Sequence, residues 1–325
     1  MPEITAQMVK ALRERTGAGM MECKKALVEA GGNMEEAEII LRKRGIAAAT
    51  KKESRSTKQG VIASHIAGNG KTGVLVEVNC ESDFVARTED FLSLTGDIAA
   101  HIAKTKPKYV RPEEVTEQER ANFKAHEALY EQKFAHDQNS TIGEIVKTKI
   151  AKLGENISVS RFTIYEVNGT GVVGSYIHTG AQIGVLLEIK LNSGETAGKD
   201  EFKILLRDLA MQVAASHPQY VNRDEIPGDV LAKERSIQRD RALGEGKPEK
   251  MVDKIAEGRM SKFYEEVCLL DQPFIRENTI SVAELIRTAG SKLGDSLTVS
   301  RFTRYKVGDA ADAVGVEASP LPVTA

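Results

Sequence analysis

The chain contains part of itself twice. "GVIASHIAGNGKTGVLVEVN", from Gly60, aligns with "GVVGSYIHTGAQIGVLLEIK", from Gly171, at an offset of 111 residues. The register holds without a gap through Phe91 and Phe202, Leu94 and Leu205, to "KPKYV" (106–110) against "HPQYV" (217–221). Farther on, "KLGENISVSRFTIYEV" from Lys152 pairs with "KLGDSLTVSRFTRYKV" from Lys292 at an offset of 140, so the second copy carries 29 inserted residues. Each unit reads strand, turn, strand, helix, helical stretch and final strand. In that last strand, period-two alternation sets Val159, Arg161, Thr163 and Tyr165 on one face, with Phe162 and Ile164 on the other. The expected fold class is α+β: two related subdomains, 60–169 and 170–308, each with helices over a small antiparallel sheet. The insert follows a helical pattern. "GEGKP" (244–248) stops one helix and Pro248 opens the next, giving an antiparallel hairpin at about 228–268. Val230, Leu231 and Ile237 are expected to meet Met251, Ile255 and Phe263 across it.

Ahead of the repeat, residues 1–46 read as three short helices. The first carries Met8, Val9 and Leu12 on one face and breaks at "TGAG" (16–19). The second, "MMECKKALVEA", presents Met21, Ala26 and Leu27 and ends at Gly31 and Gly32. Asn33 caps the third, which has acids in its first turn and bases in its last. A small bundle with an apolar loop after its first helix is the pattern of ubiquitin-associated domains. Met20 and Met21 point about 100° apart on a helix, so one of them is expected at the surface. Residues 47–59 read as a basic, mobile linker.

Composition excludes several function classes. A net charge of -2 over 325 residues supplies no global field for nucleic acid. Cys23, Cys80 and Cys268 are odd in number and widely spaced, which argues for a reducing compartment and against a disulfide framework or metal cluster. The opening "MPEITAQMVK" lacks the basic and apolar regions of a signal peptide. No apolar run approaches the roughly 18 residues of a membrane span. A cytoplasmic protein is expected.

Little in the chain signals covalent chemistry. "GNGKTG" lacks the earlier glycine of a phosphate loop, because His65 stands there, and it lies between strands as a hairpin turn. The six histidines form no metal-spaced cluster, and Cys80 sits at a strand end without a nucleophile motif. No catalytic residue, metal or cofactor is expected. The stretch "VNCESDFVARTEDF" (78–91) stands out instead. Under the 111 offset, Asp83 and Phe84 correspond to Gly194 and Glu195, whereas the core candidates Phe91 and Leu94 keep apolar twins. An aromatic required by the shared core would be apolar twice. Phe84 is peculiar to the first copy and is a candidate for contact with something else. Asp83 could cap the coming helix, but Thr88 is better placed to do so.

"ITAQMVKALRERTGAGMMECKKAL", "VNCESDFVAR", "GSYIHTGAQIGVL" and "GKPEKMVDKIAEGRMSKFYEEVCLLDQPF" closely resemble the elongation factor Ts family, in order from residue 2 to about 307. The resemblance implies a ubiquitin-associated-like head, two related core subdomains and a helical hairpin. It also implies a guanine nucleotide exchange factor for elongation factor Tu in translation, acting without covalent chemistry. The family's Thr-Asp-Phe-Val motif falls on Ser82, Asp83, Phe84 and Val85, a loop that disturbs the partner's magnesium and phosphate site. Arg13, Met20 and Met21 would touch the same partner domain, and His178 the others. No membrane or nucleic acid partner is implied, and a homodimer or two-by-two complex is left open. Residues 309–325, with Pro320 and Pro322, depart from the family's tail helix and are expected to be disordered. The alternative is a non-catalytic adaptor that binds partner helices through the head.

Overall fold

The computed structural model describes residues 4–309, so the expectation for the C-terminal tail lies almost wholly outside the described residues. Three helices open the chain: α1 (Ala6–Thr16), α2 (Met20–Glu29) and α3 (Met34–Thr50). Thr5 caps α1 by accepting from the Met8 N–H, and Asn33 caps α3 by accepting from Glu35 and Glu36. Gly17 ends α1 in the left-handed region at φ 68°, where a side chain would be strained. Val9, Leu12, Cys23, Ala26, Leu27, Ala37 and Leu41 close a small core. Cys23 takes the place expected for Met21, because the helix turns that position inward.

Helix α3 continues into the segment read as a mobile linker, and its Ala49 is buried in the core of the first copy. The following residues are held as well. Lys52 Nζ donates to the Gly154 carbonyl at 2.7 Å, and Asn156 Nδ2 donates to the carbonyls of Glu53 and Arg55 at 3.2 and 2.8 Å. Polar composition concealed these ties, since they depend on side chains roughly a hundred positions away.

The first copy runs β1 (Gln59–Ile66), β2 (Thr72–Cys80), α4 (Asp83–Ala86), α5 (Glu89–Thr105), α6 (Glu117–Arg120), a small hairpin of β3 (Lys133–Phe134) and β4 (Asp137–Thr141), then α7 (Ile142–Leu153) and β5 (Ile157–Glu166). The second repeats it with β6 (Gly171–Ile177), β7 (Ile183–Leu191), α8 (Asp200–Ser216), the inserted pair α9 (Gly228–Gly244) and α10 (Glu249–Val267), β8 (Pro273–Phe274), β9 (Glu277–Ser281), α11 (Val282–Leu293) and β10 (Leu297–Lys306). Each copy forms an antiparallel three-stranded sheet, β1-β2-β5 and β6-β7-β10. One face of each sheet lies under its helices: Val74, Val76 and Val78 meet Phe91, Leu94, Ile98 and Ile150 in copy one, as Val185, Leu187 and Ile189 meet Phe202, Leu205 and Leu209 in copy two. No helix among the described residues is long and apolar enough to cross a membrane.

The strand alternation needs one correction. The pairing of β2 with β5 slips between Val159 and Arg161, leaving Ser160 as an extra residue. Val159 therefore joins Phe162 and Ile164 on the helix side, while Arg161, Thr163 and Tyr165 face the other copy. An identical slip between Val299 and Arg301 places Ser300 as its twin.

Those outward faces meet. Ile62, Leu75, Tyr165 and Val167 pack on Val173, Leu186 and Tyr305. Glycine twins permit the close approach: a Cβ on Gly73 would lie 2.4 Å from Val173 Cγ1, and one on Gly184 2.4 Å from Ile62 Cγ2. The hairpin turns lock reciprocally onto the opposite copy. Val173 N–H donates to the Gly70 carbonyl at 2.8 Å, and Ile62 N–H to that of Ala181 at 2.7 Å. The "GKT" lysine is structural here, with Lys71 Nζ donating to the carbonyls of Gly169 and Gly171 at 2.8 Å each.

The inserted pair forms the expected antiparallel hairpin with a different seam. Val230, Leu231 and Phe263 pack at its base, but Ile237 and Met251 are exposed; Ala242, Val252, Ala256 and Met260 are buried instead. Arg235 pairs with Glu257 at 3.6 Å, Arg259 with Glu245 at 2.6 Å, and Arg239 with Asp253.

Two measurements test this packing. Gly184→Val is expected to overpack the sheet interface and lower unfolding stability by about 1–3 kcal/mol, read from the urea midpoint, with helix content retained. The second concerns a buried polar site that differs between the copies. His101 Nε2 lies 2.9 Å from Gln132 Oε1 while its Nδ1 is buried without a partner. Its twin Gln212 uses both ends, donating to Gln272 Oε1 at 3.0 Å and accepting from the Ile275 N–H at 2.8 Å. Burial lowers the His101 pKa, against the opposing Gln132 hydrogen bond. The folded protein thus binds this proton less readily than the unfolded chain, so its stability is full above about pH 6.5 and is lost as pH falls toward the lowered folded value. His101→Gln is expected to flatten the dependence of the urea midpoint between pH 7 and pH 5.

A presented aromatic turn and a braced helical head

Strand β2 ends at Cys80, and the chain turns through Glu81 and Ser82 into α4. Four residues are too few to make a helix stable alone. Side chains around it supply what is missing. The Ser82 hydroxyl accepts from the Val85 N–H at 3.4 Å, capping the turn, and Asp83 pairs with Arg87 at 2.9 Å. That pair is exposed and contributes only about 0.3–0.5 kcal/mol. Asp83 is therefore the first helical residue rather than a cap. Thr88 caps α5 by accepting from the Phe91 N–H.

Val85 and Ala86 are buried in the first core, which anchors the turn from below. Phe84 points the other way and is 81% exposed, the most exposed of the large apolar side chains among the described residues. A phenyl ring left in water forgoes about 1.5–3 kcal/mol of burial, so nothing in this chain's own core accounts for it.

A pair of carboxylates joins this turn to the one between α7 and β5. Glu155 Oε2 accepts from the Ser82 N–H at 2.9 Å and Oε1 from the Ser82 hydroxyl at 2.5 Å. In return, Glu81 Oε1 accepts from the Asn156 N–H at 2.6 Å. No local motif in the sequence marks Glu155 or Glu81 as part of the site. One signal was available: position 155 and its twin 295 are both acidic, Glu in one copy and Asp in the other. Cys80 lies beneath, its thiol donating to the Ser82 carbonyl at 3.1 Å. Burial, followed by the charge of Glu155, pushes its pKa up to about 12, so it is a thiol and not a nucleophile.

The second copy builds the corresponding turn without the aromatic. Gly194–Gly198 is a tighter helical turn capped by Ser193, and Glu195 is exposed where Phe84 stands in copy one.

In the head, Met20 and Met21 open α2 and are 46% and 65% exposed. Both therefore face outward, where only one was expected, because the core of so small a bundle is filled by Cys23, Ala26 and Leu27. Arg13 is exposed near the end of α1. His178 is exposed in the β6–β7 turn, its Nδ1 3.0 Å from the Tyr176 hydroxyl. No hydrogen bond or ion pair among the described residues joins Arg13, the methionines, Phe84 and His178 to one another.

What connects the first two sets is α3. It lies along α7, where a Cβ on Gly45 would come 2.9 Å from Ala151 Cβ. Arg42 reaches Ser140 and pairs with Glu144 at 3.8 Å, and Lys147 pairs with Glu53 at 3.2 Å. Helix α7 is in turn tied to α5, next to the Phe84 turn: Lys149 and Lys152 both donate to Asp90 Oδ1 at 2.8 Å, lowering that carboxyl's pKa. The head and the aromatic turn are thus braced by continuous packed elements. Gly45→Val is expected to wedge α3 from α7. Amide exchange should accelerate across the second half of α3, with protection in α1 and α2 unchanged; unaltered exchange in that half of α3 would refute the brace.

The elongation factor TS family model matches residues 7–125 and 81–309. "Elongation factor Ts" of Nostoc punctiforme is 43% identical over 312 residues, 95% of this chain and 94% of its own length. The protein of the same name from Trichlorobacter lovleyi is 39% identical over 94% of this chain and 93% of its own. That from Nitratidesulfovibrio vulgaris is 40% identical over 97% and 99%.

Proposed function

This chain belongs to the elongation factor Ts family, and on that footing we propose that it is a cytoplasmic guanine nucleotide exchange factor that binds elongation factor Tu and promotes GDP release. The observation that carries the reading is Phe84, held out on a turn whose other apolar residues are buried. Asp83 and Phe84 enter the partner near its magnesium and phosphate site, while Ser82, as the cap, and Val85, buried in this chain's own core, hold the turn that presents them. Arg13, Met20 and Met21 grip the same partner domain from the head, with thioethers adapting to its surface. His178 contacts the partner from the second copy. The working units are a head of residues 1–46, core halves of 60–169 and 170–308, and the hairpin arm.

Such a factor makes and breaks no covalent bond. By linkage, the affinity it removes from bound GDP equals the affinity that GDP removes from it. A thousandfold faster release needs a barrier lowered by about 4 kcal/mol. Burial of one Phe supplies about 1.5–3 kcal/mol, so the turn alone is insufficient and the head must share the load. The α3 brace supports that division, because a head on a loose tether would hold the partner without fixing where Phe84 strikes.

Release of a fluorescent GDP analogue from purified elongation factor Tu, chased with unlabelled GDP, tests the reading. Substoichiometric amounts of this protein are expected to accelerate release catalytically. Phe84→Ala is expected to slow it by several-fold to about tenfold while binding persists. Binding without acceleration by the wild-type chain would favour the adaptor.

A further inference from the structure

Glu155 carries a charge next to the turn that matters most, and its two oxygens serve one residue. We propose that Glu155 is a positioning residue for exchange: acting through the Ser82 hydroxyl, it holds the Asp83–Ala86 turn in the conformation that presents Phe84. The inference rests on the exchange reading above.

The geometry is a relay. The hydroxyl proton of Ser82 is committed to Glu155 Oε1 at 2.5 Å, which leaves its lone pairs directed at the Val85 N–H. A hydrogen bond to a carboxylate polarises the hydroxyl and makes it a better acceptor for the cap. The second carboxylate oxygen fixes the Ser82 backbone N–H at 2.9 Å, so both the position of the residue and the rotation of its side chain are set by one partner. Without that partner the hydroxyl can turn to water, and a helix of a single turn loses its cap.

The second copy separates this role from maintenance of the fold. There the shorter Asp295 does not reach the capping hydroxyl of Ser193: it accepts from the N–H groups of Asn192 at 3.0 Å and Ser193 at 3.2 Å, and its side-chain hydrogen bond comes from Thr196, the twin of Val85. The Ser193 hydroxyl accepts from the Glu195 N–H at 3.4 Å, and its turn presents no aromatic. A carboxylate that ties two turns together is common to both copies. The reach to the capping serine hydroxyl, which takes the extra methylene of Glu155, occurs only where Phe84 is displayed. Copy one also keeps an independent tie between the same turns, the Asn156 N–H on Glu81, which survives removal of Glu155.

The test measures GDP release from elongation factor Tu against the concentration of this protein, in wild type, Glu155→Gln, Phe84→Ala and the double variant. Glu155→Gln is expected to lower the saturating rate by about five- to tenfold and to move the half-saturating concentration by less than about twofold. Added to Phe84→Ala it should change nothing further, because it acts only through that ring. Ser82→Ala provides a second route that leaves the charge in place: it should show the same split, with Ser82→Thr losing less because it keeps the hydroxyl. A wild-type saturating rate in Glu155→Gln, or equal slowing in both backgrounds, overturns the assignment alone. No acceleration by the wild-type chain overturns the exchange reading and the assignment with it.

Discussion

Two buried carboxylates hold the halves of this molecule face to face. Glu77, in the middle of β2, receives Arg161 Nε at 2.8 Å; Glu188, its twin in β7, receives Arg301 Nε at 2.7 Å. Each guanidinium then crosses to the other copy, with Arg161 4.1 Å above the Tyr305 ring and Arg301 4.1 Å above Tyr165. Their free nitrogens donate to Lys306 and Glu166 carbonyls of the opposite sheet at 3.1 and 3.2 Å. A carboxylate out of water is costly unless its charge and lone pairs are answered, so removing either arginine would leave a buried charge unpaired. The apolar contacts of the interface would tolerate some sliding; these charges would not. The slips at Ser160 and Ser300 follow from the same requirement, since they turn Arg161 and Arg301 toward the interface while leaving Val159 and Val299 in the helix-covered cores.

A frame fixed in this way leaves its turns free to differ. The turn after β2 and the turn after β7 hang from equivalent strand ends and are tied by equivalent acids, yet one displays Phe84 and the other Glu195. Neither side chain enters a core, so exchanging one for the other costs the fold little. The same logic applies to the 29 inserted residues, which emerge as a hairpin whose base packs through Val230, Leu231 and Phe263 without disturbing the sheet. The repeated unit supplies the frame, and the exposed positions at which the copies differ supply surfaces open to a partner.

Much of the fold was legible because it rests on local pattern. Repeated spacing marked both halves, glycine and asparagine marked the helix ends in the head, and Thr88 marked the start of α5. Period two failed at Ser160 because a bulge changes the count by one residue and reverses every face beyond it. The hairpin seam was misread at Ile237 and Met251 because irregular spacing does not define which stripe of each helix turns inward. In the head, hydrophobicity alone favoured burying a methionine, but the small volume at the centre was already filled by Cys23 and its neighbours.

By itself, the sequence determined that this protein is built from two copies of one α+β unit with a helical head and an inserted hairpin, and that Phe84 belongs to one copy alone. Those conclusions need only comparison along the chain. Tertiary structure decided that the head is braced rather than tethered, that both methionines face outward, and that Glu155 grips Ser82. Each depends on groups far apart in sequence, such as Gly45 against Ala151 or residue 82 against 155, and no local periodicity encodes a contact across such a distance.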